Sequence, residues 1–348
     1  MSQAPLIRPT ANGLYCEVGD FYVDPWRRVG RAVITHAHSD HARSGSGAYL
    51  CSSSGEGVLR LRIGDKAPIQ GVPFGDKISW NGVQVSLHPA GHILGSAQVR
   101  IEYQGEIWVV SGDYKTMPDP TAEHFEPVPC HHFITECTFG LPVYRWPDSR
   151  LVFEEINHWW RENQTQGRTS VVFAYSLGKA QRVLAGVDAS IGPIAVHGAV
   201  ANFLPLYAKE GVSLPAAERL TKENAKSIKG QGLVVAPGSA QGTPWLRKVA
   251  PLSLSFASGW MAIRGARRWQ SLDRGFVLSD HVDWPGLVDA VRSTGATKIG
   301  VTHGHTAPFI RYAREELGLD AYDLPTRFVG EQAGSENVEE DSEEEGRE

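Results

Sequence analysis

The run His36-Ala37-His38-Ser39-Asp40-His41 constrains this chain more than any other feature, because four side chains of metal-ligand type fall within six residues. It follows Ala32-Val33-Ile34-Thr35, a short apolar stretch that predicts a buried strand. The cluster is therefore expected at a strand's C-terminal end, where catalytic loops emerge in α/β layers. Imidazole and carboxylate suit borderline divalent ions such as zinc. His36 and His38 can reach one ion, while Asp40 and His41 point the other way towards a second. A solvated polar loop is the plain alternative.

A two-ion site needs more ligands, and three further turns offer them. Gly91-His92-Ile93-Leu94-Gly95-Ser96 presents His92 among small residues. Ser111-Gly112-Asp113-Tyr114 follows an apolar run and presents Asp113, a candidate bridging carboxylate. Thr302-His303-Gly304-His305 follows another and presents His303. Each has the same form, a small-residue turn after an apolar strand.

The order of elements predicts an α/β chain. Gly13-Leu14-Tyr15-Cys16-Glu17-Val18 and Asp20-Phe21-Tyr22-Val23-Asp24 form a candidate hairpin, and Gln104-Gly105 is a two-residue turn between Gln98-Val99-Arg100-Ile101-Glu102-Tyr103 and Glu106-Ile107-Trp108-Val109-Val110. From about Asp148 the texture changes. Leu151, Phe153, Ile156, Trp159 and Trp160 have helical spacing, and strand–turn–helix units with a parallel sheet follow. Phe276-Val277-Leu278-Ser279 and Lys298-Ile299-Gly300-Val301-Thr302 are expected to return the chain to the first domain. The expected division is 1–147, an inserted domain 148–270, a return 271–328 and a disordered acidic tail 329–348. Residues 331–348 carry a net charge of −8 within a total of −5, so the body is near +3 and any nucleic-acid contact must come from a local patch. Four cysteines without CxxC spacing read as reduced thiols. With no apolar leader and no membrane-length apolar run, a cytoplasmic setting is expected.

On these motifs the sequence resembles the metallo-β-lactamase superfamily and, more narrowly, its β-CASP branch, which processes nucleic acids. The resemblance covers nearly the whole chain to about Arg327. It implies an αββα sandwich with an inserted α/β β-CASP domain. It also implies two divalent ions, zinc or manganese: His36, His38 and His92 on one, Asp40, His41 and His303 on the other, and Asp113 between them. Thr135-Glu136-Cys137-Thr138-Phe139-Gly140 resembles the branch's first motif, placing Glu136 as an acidic residue behind the ligands. Ser279-Asp280-His281-Val282-Asp283 resembles the second, whose histidine is a candidate proton donor. Asp283 is expected to orient the His281 ring. A histidine at the third position, His303, is more typical of RNA-type members. The wider wording, including Ala174-Tyr175-Ser176-Leu177-Gly178-Lys179-Ala180-Gln181 and Ser258-Gly259-Trp260-Met261, is similar to bacterial ligase-associated DNA exonucleases. That family context implies DNA repair beside an ATP-dependent ligase and a helicase, with no membrane.

The expected chemistry is two-metal phosphodiester hydrolysis, with Asp40 and Asp113 at the ions, Asp113 positioning the attacking water and His281 protonating the leaving oxygen. The inserted domain is expected to hold the strand. Ser176 and Lys179 sit at a strand-to-helix turn whose backbone N–H groups favour a phosphate, and Ser258 and Gly259 form a similar turn. Ile263-Arg264-Gly265-Ala266-Arg267-Arg268-Trp269 interleaves arginines with an aromatic ring, as a single-strand groove does. The leading expectation is a DNA exonuclease; the alternative is an RNA-processing endo- or exonuclease. A small-molecule thioester or lactone hydrolase and a metal-free binding subunit are the other classes.

Overall fold

The computed structural model describes residues 5–263 and 272–326. The Arg/Trp stretch at 264–269 and the acidic tail lie outside the described residues. The chain divides into two compact units, residues up to 145 with those from 281 onwards, and residues 146–280.

In the first unit, β1 (Arg8–Thr10), β2 (Gly13–Cys16), β3 (Phe21–Val23), β4 (Ala32–Val33), β5 (Tyr49–Ser52) and β6 (Ile69–Val72) make one sheet in that spatial order. β2 and β3 pair antiparallel as the expected hairpin, with Leu14 opposite Val23. A second sheet begins with β7 (Lys77–Trp80), β8 (Val83–Pro89), β9 (Ala97–Tyr103) and β10 (Glu106–Val110), an antiparallel meander joined by the parallel strand β11 (His132–Glu136). Gln104 and Gly105 close the β9–β10 turn with φ of 50° and 85°, the left-handed conformation that a tight hairpin requires.

The second unit is a wholly parallel sheet. Its strands β12 (Thr169–Phe173), β13 (Ile194–Val196), β14 (Glu218–Arg219), β15 (Leu233–Ala236), β16 (Leu252–Ala257) and β17 (Arg274–Phe276) lie in the order β14-β13-β15-β12-β16-β17. The helix Ser149–Thr165 starts at Asp148, whose carboxylate accepts the Arg150 N–H at 2.9 Å, and buries Val152, Ile156, Trp159 and Trp160. Leu151 instead faces solvent at 55% exposure, so the buried stripe begins one residue later than its apolar character suggests.

The chain then returns to the second sheet of the first unit through β18 (Lys298–Thr302), parallel to β11, and β19 (Asp320–Asp323). The return falls at His281 rather than at 271. Phe276 pairs with Ala257 at the edge of the inserted sheet. Buried parallel strands are apolar on both faces, so this run reads alike in either sheet.

One core of the first unit joins the two sheets, with Cys16, Phe21, Val23 and Val33 from the first and Val85, Val99, Ile101 and Trp108 from the second. Another joins the second sheet to the helices Trp284–Ser293 and Thr306–Glu315 through Phe133, Ile299, Leu287, Val291 and Phe309. All four cysteines are free and buried, and burial pushes the Cys51 and Cys130 thiols up to about 12, which argues against a thiolate nucleophile. Among the described residues no helix is long and apolar enough to cross a membrane.

Candidate metal centre

Four strand ends deliver the ligand-type side chains. The His36–His41 run leaves β4 and is tied to β9 where the Ala97 N–H donates to the Thr35 carbonyl at 2.7 Å. His92 sits on the turn between β8 and β9, fixed by Ser96, whose hydroxyl accepts the His92 and Ile93 N–H groups at 3.0 and 3.2 Å. Asp113 follows β10. Gly112 before it has φ of 57°, and a Cβ there would stand 2.6 Å from the Thr35 side chain, so glycine lets the two loops touch. His303 follows β18 in a left-handed conformation, φ 58°.

These loops converge on one point. Nε2 of His36 and Nε2 of His92 each lie 3.1 Å from Nδ1 of His38. Asp113 Oδ2 is 3.3 Å from His41 Nε2, 3.6 Å from His36 Nε2 and 3.9 Å from His92 Nε2, while its Oδ1 is 3.6 Å from His303 Nδ1. Ligand atoms of His36, His38, His92 and Asp113 form one mutually close group, and those of His41, Asp113 and His303 form another. Asp40, partly exposed, groups with His36 and His41, its Oδ2 3.5 Å from His41 Nε2.

The residues present fit divalent ions. His41 Nε2 and Asp113 Oδ1 are buried and have no hydrogen-bond partner, an arrangement a protein rarely leaves uncompensated. Burial, reinforced by His41 and His92, holds His36 well below the ordinary imidazole value, which keeps its lone pair available. At His41 burial works against the charge, but Asp113, Asp40 and Asp24 outweigh it and raise the pKa well above the usual value. Asp113 is held well below the carboxylate range by His41, His281 and His303 in spite of its own burial.

Two acids behind the ligands set ring orientations. Asp24 Oδ2 meets His41 Nδ1 at 2.8 Å and accepts the Thr35 hydroxyl at 2.6 Å, while its Oδ1 accepts the Thr35 N–H at 2.8 Å. This turns His41 Nε2 towards Asp113. Sequence reasoning missed Asp24; the one signal for it was an acidic residue closing a hairpin strand just before Pro25. Glu136, 1% exposed, accepts the Tyr114 N–H at 2.8 Å and the Thr138 hydroxyl at 2.6 Å, and its carboxylate meets His281 Nδ1 at 2.9 and 3.1 Å. Asp113, Glu136 and His281 also form a close group. Asp283, expected to orient His281, caps the helix Trp284–Ser293 by accepting the Gly286 N–H at 3.0 Å. Two residues beyond the histidine, the chain has already turned into that helix.

The residues expected to hold a substrate strand are all in the second unit and all buried. Lys179 is 2% exposed, its ammonium 4.4 Å from the Tyr175 ring centre. The Gly178 N–H, expected to be open to an anion, donates to Gln181 Oε1 at 2.7 Å. Ser176 is buried, and Ser258 accepts the Trp260 N–H at 3.2 Å to cap the short turn Gly259–Ala262.

No protein-family profile matches the chain. It is 29% identical over 315 residues to a protein of Opitutus terrae named "Probable DNA ligase", covering 90% of this chain and 30% of that protein. It is 28% identical over 123 residues to "Endoribonuclease YSH1" of Candida glabrata, covering 34% of this chain and 16% of that protein. It is 24% identical over 206 residues to "Cleavage and polyadenylation specificity factor subunit 3-I" of Arabidopsis thaliana, covering 48% of this chain and 28% of the relative. The chain therefore spans less than a third of the length of the curated relatives it matches. In fold it is similar to a crystal structure of a protein of unknown function from Enterococcus faecalis, with a TM-score of 0.59 and 11% identity over 86% of this chain and 80% of that one.

Proposed function

We propose that the chain is a metal-dependent nuclease of the metallo-β-lactamase/β-CASP type, acting on DNA as an exonuclease. The observation that carries this reading is the convergence of five imidazoles on Asp113, with His41 Nε2 and Asp113 Oδ1 buried and without a hydrogen bond. The two stacked sheets flanked by helices stand for the αββα sandwich, and residues 146–280 for the inserted domain. His36, His38 and His92 would hold one divalent ion, Asp40, His41 and His303 a second, and Asp113 would serve both. Zinc suits this nitrogen-rich set and manganese is compatible with it. Such ions supply charge stabilisation on a phosphate and activate water near neutral pH.

The protein's own groups then have defined tasks. Asp24, at His41 Nδ1, keeps the proton there, so that an ion displacing the Nε2 proton would find that atom's lone pair. Glu136 anchors His281 through Nδ1, which stabilises the imidazolium and leaves Nε2 as the atom that can hand a proton to a leaving oxygen. The similarity to a protein named as a DNA ligase, over 90% of this chain and 30% of that protein, supports a DNA substrate and a ligase context; the resemblance to ligase-associated exonucleases adds a DNA-repair role, a helicase partner and a cytoplasmic setting. The shorter similarity to named endoribonucleases, together with His303, supports RNA processing as the second reading.

A time course on matched 5′- and 3′-labelled DNA and RNA strands with Zn²⁺ or Mn²⁺, beside an Asp40→Ala control, tests the assignment. Faster RNA cleavage would overturn the DNA reading. Wild-type cleavage by His281→Ala would remove the role given to His281.

A further inference from the structure

The second unit carries a cationic and aromatic face that the metal centre does not use. It lies at the C-terminal ends of β13 and β14, where Val196 pairs with Arg219 and the chain continues into His197. Ligands of open parallel sheets gather at such strand ends. The Arg219 guanidinium lies against the next turn, so close that a Cβ on Gly198 would stand 2.9 Å from its Nη2. His197 meets the half-buried Trp245 edge-on, ring centres 4.7 Å apart, and the Lys248 ammonium sits 5.3 Å from the same ring. Lys222 and Arg219 act on Lys248 electrostatically: its pKa is lowered by burial first and by these two cations next, against the opposing effect of Glu223.

Charge concentrates here. Arg219, Lys222 and Lys248 stand together here against Glu218 and Glu223. All of these charged groups except Lys248, which is half-buried, are exposed. Like charges held together on a neutral protein are relieved by a polyanion, and an indole among them adds a face on which a base can stack. An acidic peptide would neutralise the cations but has no planar base for Trp245.

We infer that this face binds single-stranded nucleic acid, with Trp245 stacking on a base and Arg219, Lys222 and Lys248 meeting the flanking phosphates. It rests on the nuclease reading for the kind of ligand, but not on catalysis.

The test is fluorescence anisotropy of the full chain with a labelled, cleavage-resistant phosphorothioate dT15 strand across a salt series. Because no turnover is needed, failure of the nuclease assay and failure of this one are separate outcomes. Replacing Arg219, Lys222 and Lys248 by alanine is expected to reduce the slope of log affinity against log salt by about 2, at roughly 0.7 per phosphate for a single strand. Trp245→Ala should weaken binding about tenfold or more, and Trp245→Phe should recover most of it. Should Arg219→Ala or Trp245→Ala fail to fold, Lys222→Glu, at an exposed position, must still weaken binding. Unchanged affinity and salt slope in the folded variants would overturn the proposal. So would a peptide of residues 331–348 that binds as tightly as the strand and depends equally on Trp245.

Discussion

Asp24→Asn is a severe test of the metal centre because the substitution keeps shape and removes one charge. Both carboxylate oxygens are committed: Oδ1 to the Thr35 N–H, and Oδ2 to the Thr35 hydroxyl and His41 Nδ1. An asparagine amide has one oxygen and one NH₂, so whichever way it turns, a donor faces a donor. If the NH₂ faces Thr35, the loop that carries His36 and His38 must shift. If it faces His41, the ring is driven to the tautomer with its proton on Nε2, the atom aimed at Asp113. Loss of a hydrogen bond to a charged group is worth about 1.5–3 kcal/mol. Residues behind metal ligands typically cost 10–100-fold in affinity when changed, about 1.4–2.8 kcal/mol, and the two ranges agree. Competition against a fluorescent chelator should therefore find one metal equivalent weakened by roughly 10–100-fold, with the His36/His38/His92 equivalent less affected. An asparagine variant that holds both equivalents at wild-type affinity would refute the role of Asp24 and the ligand assignment of His41.

Three further outcomes follow from the same geometry. Chelation should lower the thermal midpoint of the first unit, and restoring metal to a hundred times its dissociation constant should return about 2.7 kcal/mol; an unchanged midpoint would argue against the buried ligands without a hydrogen bond as an ion site. Asp283→Ala should cost about 1 kcal/mol in urea unfolding through loss of a helix cap and leave the pH profile of cleavage in place, whereas Glu136→Gln should move that profile; the reverse pattern would mean Asp283 is the partner of His281. Burial depresses the pKa of His88 and of His132, so the unfolded chain binds these protons more readily, and stability falls as pH drops below about 6.5 towards their folded values. The urea midpoint should decline less between pH 7 and 5 in a His88→Asn, His132→Phe chain than in the wild type, and equal declines would contradict this.

What could be read in advance depended on whether a residue's role rests on its own chemistry or on what the fold brings to it. Four ligand-type side chains within His36–His41 are informative because few other functions need them, and the strand before them is visible in its apolar residues. Asp24 was not legible, because an acidic residue before proline at a strand end is ordinary turn chemistry; only the parallel pairing of β3 with β4 brings it against Thr35 and His41. Glu136 and Asp283 were separable only in three dimensions. Asp283 is near His281 in sequence, but the helix begins there and one of its carboxylate oxygens serves as the cap, while β11 carries Glu136 to the ring across 145 positions of chain. Lys179 differs in the opposite sense. Its position at a strand-to-helix turn was legible, but its burial follows from packing over Tyr175, which spacing does not encode. Arg219 and Lys222 are separated from Lys248 by more than twenty residues, and they meet around Trp245 because β14 pairs with β13 and Trp245 packs on His197 just after β13. The face around Trp245 and the small-residue turns after β12 and β16 all lie at the C-terminal ends of one parallel sheet, where ligands of such sheets gather.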